Sequence, residues 1–110
     1  MHTPTTSKTT AIREATGYVS IAGRGTSYHI YGPYRAAEPR GPSTEVTATS
    51  YVQAVRIRSG WRAEIALAMM GRLDEDAHWA LERAKADPYG DHSTRALVEY
   101  VIRQTAKRAA

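Results

Sequence analysis

The chain of 110 residues contains no cysteine and no phenylalanine. The absence of cysteine excludes disulfides, thiolate metal sites and thiol redox chemistry. The longest uninterrupted apolar run covers only residues 65–70, which is far shorter than a membrane span. The N-terminus also lacks the hydrophobic segment of a secretory signal. We therefore expect a cytoplasmic protein that makes no membrane contact.

Catalytic and cofactor motifs are missing as well. The segment 23–26 (Gly-Arg-Gly-Thr) is too short for a dinucleotide fingerprint or a phosphate-binding loop. Asp74 and His78 lie four residues apart, but a structural zinc site needs four ligands, usually Cys or His, and no such spacing exists. We predict a non-enzymatic protein with no catalytic residue, no metal and no cofactor.

Positive charge comes mainly from arginine and is unevenly distributed. The chain has 15 basic residues, of which twelve are arginine, and a net charge of +4. Residues 1–43, 44–72 and 93–110 carry +3, +2 and +3, whereas residues 73–92 carry −4. Guanidinium groups match phosphate geometry, so the arginines favour a polyanionic partner, although a GC-rich coding bias would also enrich arginine. The acidic segment indicates a polarised surface.

The spacing of apolar residues changes near residue 50. Before it, β-branched and aromatic residues alternate with small polar ones, which is typical of strands; after it they recur every three or four residues, which is typical of helices. Glycines at 23–26 suit a hairpin turn. The sequence predicts an α+β fold in which an N-terminal antiparallel β-hairpin or three-stranded sheet (about 16–49) packs on three C-terminal helices, at about 50–70, 74–86 and 93–108.

The segment 51–58 is ambiguous, because its β-branched residues also suit a strand. Ser50 and Gln53 fit a capping box, in which each side chain bonds to the backbone amide of the other, and Gly71 suits a left-handed helix end. We favour a helix; the alternative is a strand to Arg58 and a shorter helix from Ser59.

The first 14 residues are rich in threonine and contain no apolar run. We expect residues 1–14 to form a flexible arm and residues 15–110 to form a single α+β domain. Trp61 and Trp79 are predicted to anchor the packing of two helices, and either one would suit a partner interface if it were exposed.

The candidate binding residues fall into two groups. Tyrosines flanked by arginine in the hairpin region suit base stacking and phosphate contacts, and arginines on the first long helix extend the basic character. Strand alternation puts Tyr28 and Tyr31 on opposite faces, so only part of the set is available to a partner. Ordinary cross-strand pairs and a solvated helix face would explain the same residues. The candidates are Arg24, Tyr28, Tyr31, Tyr34, Arg35, Arg40, Arg56, Arg58 and Arg62.

Two functional hypotheses follow. The first is a small binding protein that contacts nucleic acid, or a nucleic-acid-bearing complex, through the hairpin and the arginine-rich helix. It requires the candidate arginines and tyrosines to converge on one solvent-facing side. The order of a three-stranded sheet followed by a helix resembles that of some DNA-reading modules, an analogy of arrangement alone.

The alternative is a protein–protein adaptor or inhibitor of mobile-element type, for example an anti-defence or anti-CRISPR-like protein, that acts through its acidic and basic faces. The partner would then be a protein of a nucleic-acid-handling complex. Homo-oligomerisation stays open in both hypotheses.

Overall fold

A computed structural model describes residues 6–109. A three-stranded antiparallel sheet precedes three C-terminal helices, which confirms the predicted α+β architecture. A short helix and one turn of 3₁₀ helix (Thr16–Tyr18) come before the sheet. The elements are α1 (Lys8–Ala15), β1 (Ser20–Arg24), β2 (Ser27–Pro33), β3 (Ser43–Ala48), α2 (Tyr51–Met69), α3 (Glu75–Ala86) and α4 (Thr94–Ala109).

The tight β1–β2 hairpin depends on two glycines. Gly25 adopts a φ of +68° in the two-residue turn, a conformation that costs glycine little. Gly23 has a φ of +125°, and a Cβ there would lie 2.2 Å from the carbonyl oxygen of Ser27. The hairpin turn predicted at 23–26 is therefore confirmed. β2 is the central strand and pairs with both β1 and β3.

The two faces of the sheet have different environments. On the inner face, Ile30 and Gly32 are buried under α2. On the outer face, Tyr31 is exposed and His29 is half-buried, and their side chains point to the opposite side from Ile30 because strand residues alternate. Apart from Tyr31, the outer face carries small and polar residues on all three strands. The sheet therefore contributes one face to the core and presents the other to solvent.

The helix favoured for residues 51–58 is confirmed, because α2 is continuous from Tyr51. Ser50 Oγ accepts a hydrogen bond from Gln53 N at 3.1 Å. The reciprocal bond differs from the prediction, since Gln53 Oε1 accepts from Thr49 N at 3.2 Å. At the other end, Gly71 has a φ of +69°, and Arg72 N donates to an α2 carbonyl at 2.8 Å. Both ends of α2 are therefore defined locally by the sequence.

The prediction of a flexible arm over residues 1–14 is wrong for residues 8–14, which belong to α1. Residues 1–5 of that arm lie outside the described residues. Ser7 begins the helix by accepting a hydrogen bond from Thr10 N at 3.3 Å. Ala11 and Ala15 are fully buried and bring α1 close to α2. Small side chains permit close helix packing without an apolar run, and this is why hydrophobicity alone did not indicate the contact.

The core is built largely from small side chains around α2, which packs against α1, the sheet and α4, while α3 packs mainly on α4. Half of the fully or almost fully buried apolar residues are alanine. They are Ala11, Ala15, Val19, Ile30, Ala48, Ala54, Ala63, Ile65, Ala66, Leu67, Ala77, Ala80, Leu81, Leu97, Val98 and Val101. Among residues 6–109, no helix combines the length and the apolar character needed to cross a membrane.

Candidate functional site

The hairpin tyrosines lie on different surfaces. Tyr28 is half-buried on the inner side of the sheet, and its ring centroid lies 5.8 Å from that of Tyr51. Tyr31 is 40% exposed on the outer face and stacks on His29 with a centroid distance of 6.3 Å. His29 Nδ1 also contacts the carboxylate of Glu45 on β3. A single flat ligand cannot stack on both tyrosines.

One of the three α2 arginines, Arg62, reaches the chain that precedes β1. Arg62 Nη2 donates to the carbonyl oxygens of Val19 at 2.8 Å and Thr16 at 3.2 Å. Burial lowers the pKa of Arg62, and the charge of nearby Arg58 lowers it further. The Nε atoms of both guanidinium groups are buried and have no hydrogen-bond partner within the described part of the chain. Arg62 is therefore in part structural, and the Nε of Arg58 is buried away from any phosphate.

The other arginines are dispersed. Arg24 ends β1 on the outer face. Arg40 Nε donates to Tyr18 Oη at 3.1 Å, and this bond raises the pKa of Arg40. Arg56 lines an apolar depression of about 530 Å³ beside the start of α4. The structure therefore does not bring the nine candidates onto one side, and the convergence that the first hypothesis required is not found.

Tyr34 and Arg35 are brought together in a groove of about 440 Å³ between the segment after β2 and one side of α2. Three backbone hydrogen bonds hold the loop that forms one wall: Tyr34 N to Pro42 O at 2.7 Å, Glu38 N to Arg35 O at 3.0 Å, and Gly41 N to Glu38 O at 2.9 Å. We call this cavity the loop–α2 groove. Its lining residues are Pro33, Tyr34, Arg35, Ala36, Ala37, Glu38, Thr44, Trp61, Glu64, Ile65 and Leu73.

Trp61 forms the α2 side of this groove. The prediction that it anchors helix–helix packing is incorrect, because its ring lies against the sheet at Gly32. Across the groove, Tyr34 is 68% exposed. Two aromatic rings therefore contribute to one cavity. The signal in the sequence was Gly32 near the end of a strand pattern, since a glycine within a strand often marks a close approach by another group.

The loop–α2 groove also contains two carboxylates, which sequence reasoning did not single out. Glu38 lies on the loop and Glu64 lies on α2, three residues after Trp61 and thus on the same side of the helix. Neither carboxylate forms an ion pair within 4.0 Å with any basic group among the described side chains, including Arg35 in the same groove. The side chains lining the groove have a net charge of −1.

Acidic groups continue from the groove toward α3. A second depression of about 250 Å³ shares Ala37 and Leu73 with the groove and reaches Asp74. Asp74 Oδ1 accepts from Ala77 N at 2.8 Å and so begins α3. Glu75 and Asp76 follow in the first turn, where carboxylates are favourable to the helix dipole.

Trp79 is exposed on α3 rather than buried, so the prediction that it anchors the core is wrong. Its side chain is 54% exposed, one helical turn beyond Glu75. Its ring contacts only one other ring within the described residues, that of His78, with a centroid distance of 5.1 Å. We call Glu38, Glu64, Asp74, Glu75 and Trp79 the acidic surface. Asp74, Glu75 and Trp79 come from the start of the acidic segment, and the fold adds the carboxylates of Glu38 and Glu64.

Within residues 6–109, no three histidine or carboxylate side chains are grouped as metal ligands. Comparison with protein-family models, curated proteins and solved structures found no match to this chain. Function is therefore inferred from the chain's own side chains.

Proposed function

We propose that the chain is a non-enzymatic protein-binding module whose acidic surface receives a basic partner protein. The observation that carries the proposal is the exposed Trp79 beside Glu75 on a helix that begins with three acidic residues. Tryptophan is the residue type most enriched at energetic centres of protein interfaces, and flanking charges select a partner of opposite sign.

A basic groove on the partner would complement this surface. Proteins that handle nucleic acid carry such grooves, because they neutralise phosphates with Lys and Arg. An acidic surface on a small protein can occupy the same groove and exclude the nucleic acid. The chain therefore suits the role of an adaptor or inhibitor of mobile-element type, such as an anti-defence protein. Its overall charge of +4 does not oppose this role, because the acidic groups are clustered.

The test begins with co-purification of the tagged chain from its host after nuclease treatment, followed by reconstitution with the purified partner. We expect Trp79→Ala and Glu75→Lys each to weaken the complex by about tenfold or more, since interface tryptophans and charges contribute on that scale. Tyr89→Ala is the matched control, because Tyr89 is 95% exposed and lies outside the acidic surface. Circular dichroism would establish that each variant is folded.

Two results would overturn the proposal. One is a partner that binds Trp79→Ala and Glu75→Lys as tightly as the unmodified chain. The other is recovery of nucleic acid when the nuclease is omitted, with no protein retained when the nuclease is used.

A second candidate function is nucleic-acid contact through the outer face of the sheet. The observation in its favour is that Arg24 and the stacked pair His29 and Tyr31 lie on the same exposed face. Three strands span about 10 Å, which is compatible with the width of a DNA major groove of about 12 Å. Glu45 on this face reduces its positive charge.

A salt titration with a labelled duplex tests the second candidate. Arg24→Ala should lower the dependence of log K on log salt by about 0.9 if Arg24 neutralises one phosphate. Tyr89→Ala should leave the slope unchanged. Absence of binding at low salt, or binding that does not vary with salt, would exclude this candidate.

A further inference from the structure

We propose that the loop–α2 groove binds the guanidinium group of a single arginine side chain presented by the basic partner. This inference rests on the proposed protein-binding function and specifies the chemistry of one contact within it. The open groove has an aromatic residue on each wall and two carboxylates without ion-pair partners among the described side chains. A planar cation satisfies both features at once.

The two aromatic residues on the groove walls favour a planar ligand group. Trp61 packs directly on the sheet at Gly32, because a Cβ on residue 32 would lie only 2.6 Å from Trp61 Cε3. Its ring is therefore fixed before any ligand binds. Tyr34, on the other wall, is largely exposed. A guanidinium stacks on such rings by cation–π contact and loses less hydration than an ammonium does, which favours arginine over lysine.

The two carboxylates in the groove favour a positively charged ligand group. Glu64 is half-buried one turn after Trp61, so a cation stacked on that ring lies within reach of its carboxylate. Glu38 approaches from the loop, whose backbone hydrogen bonds fix its position. A carboxylate accepts two parallel N–H bonds from a guanidinium, and this geometry adds specificity to the charge attraction.

Arg35 lies in the same groove and carries the same charge as the proposed guest. It is exposed and forms no ion pair within 4.0 Å of Glu38 or Glu64. It therefore opposes entry of a second guanidinium without neutralising the carboxylates. Removal of Arg35 should therefore strengthen binding of the partner's arginine side chain, because it removes a repelling positive charge.

The groove volume of about 440 Å³ falls in the range of ligand sites and accommodates one extended side chain. The experiment is a titration of the full ¹⁵N-labelled chain with N-acetyl-arginine amide, followed by NMR of the two indole N–H signals. The matched probe is N-acetyl-citrulline amide, which has the same shape but no charge. A Trp79→Phe variant assigns the signals of Trp61 and Trp79.

We expect the arginine probe to shift the Trp61 indole signal saturably in the millimolar range, as suits a single side chain. The citrulline probe should leave the signal unchanged, and Trp79 should not respond to either probe. Equal responses to arginine and citrulline would overturn the inference, because charge would then have no role. A response of Trp79 alone would overturn it too, since the cation would then bind at α3.

Three variants sharpen the result. Glu64→Gln should weaken binding of the arginine probe by about threefold to tenfold, and Arg35→Ala should tighten it. Glu14→Gln is the matched control, since it removes an exposed carboxylate on α1 that lies outside the groove and the acidic surface, and it should leave the probe affinity unchanged. If Glu64→Gln binds the probe like the unmodified chain, the inference is wrong.

Binding measurements with the partner protein distinguish failure of this inference from failure of the proposed function. A partner that binds Glu64→Gln normally but loses Trp79→Ala would overturn the arginine site and leave protein binding intact. Saturable arginine binding by a chain that retains no protein partner would support the site and count against the proposed function.

Discussion

Trp61 lies so close to Gly32 that no other amino acid fits at position 32 without displacement of the ring. A Cβ at Gly32 would lie 2.6 Å from Trp61 Cε3 and 2.9 Å from Cζ3. The contact joins the central strand of the sheet to α2 and at the same time fixes one wall of the loop–α2 groove. Stability and the candidate site therefore depend on the same pair of residues.

Gly32→Ala should destabilise the protein by about 1–3 kcal/mol, the usual cost of an added methyl group in a packed site. The measurement is urea unfolding, with the change read from the transition midpoint at constant m-value. Gly17→Ala is the matched control, because a Cβ at Gly17 has no neighbour within 4 Å, and we expect a change within about 0.5 kcal/mol. Equal stability of the two variants would contradict the packing argument.

The ion pair between Lys8 and Glu99 joins α1 to α4, and the two residues are 91 positions apart in sequence. Lys8 Nζ donates to Glu99 Oε2 at 2.7 Å, and this bond, with the attraction between the two charges, holds the pKa of Glu99 below its usual value. Arg95 at 4.0 Å and Arg103 act in the same direction.

The lowered pKa of Glu99 makes stability depend on pH in a defined direction. The contribution of Glu99 is fully present above the pKa of an unfolded glutamate, about 4.3, and is lost as the pH falls through the lower folded pKa. Glu99→Gln should therefore be less stable than the unmodified chain at pH 7, and the difference should shrink in acid. Thermal unfolding from pH 7 to pH 3 measures it. A difference that is constant over this range would contradict the assignment.

A Lys8→Met variant provides the control for this pair. If the two residues interact, the double variant Lys8→Met/Glu99→Gln should be more stable than the sum of the single changes predicts. Strict additivity would mean that the bond makes no net contribution to stability.

The sequence predicted the elements of the fold whose ends are encoded locally. Ser50 and Asp74 each accept a hydrogen bond from the backbone three residues later, and Gly71 adopts the left-handed conformation that ends α2. Period-two alternation also indicated that Tyr28 and Tyr31 face opposite sides of the sheet. Signals of this kind involve residues within one turn or one strand, so a sequence displays them directly.

The sequence could not predict relationships that depend on how elements dock. α1 is held by Ala11 and Ala15, whose small size conveys little hydrophobic signal. The sequence predicted Arg62 to be a surface cation, because nothing in its own helix indicates that its guanidinium donates to the carbonyl oxygen of Val19. The groove between Glu38 and Glu64 likewise exists only because a loop folds back over α2. Contacts between distant segments determine which side chains are available to a partner.

Gly71→Ala should destabilise the protein by about 1 kcal/mol, since a φ of +69° is unfavourable for a residue with a Cβ. Gly71→Asn should be milder, because asparagine tolerates this conformation better than alanine. Thermal unfolding of the two variants under identical conditions provides the comparison. An asparagine variant less stable than the alanine variant would show that backbone conformation does not determine the cost.

Arg62→Met should destabilise the protein by about 1–3 kcal/mol, although the substitution keeps much of the apolar stem. The loss comes from the carbonyl oxygens of Val19 and Thr16, which lose their donor when the guanidinium is removed. Arg56→Met on the same helix is the matched control, because Arg56 is exposed and should change stability by about 0.5 kcal/mol or less. Chemical unfolding with circular dichroism measures both. If Arg62→Met were as stable as Arg56→Met, the guanidinium would not be the link between α2 and the chain before β1, and Arg62 would again be a candidate for binding a partner.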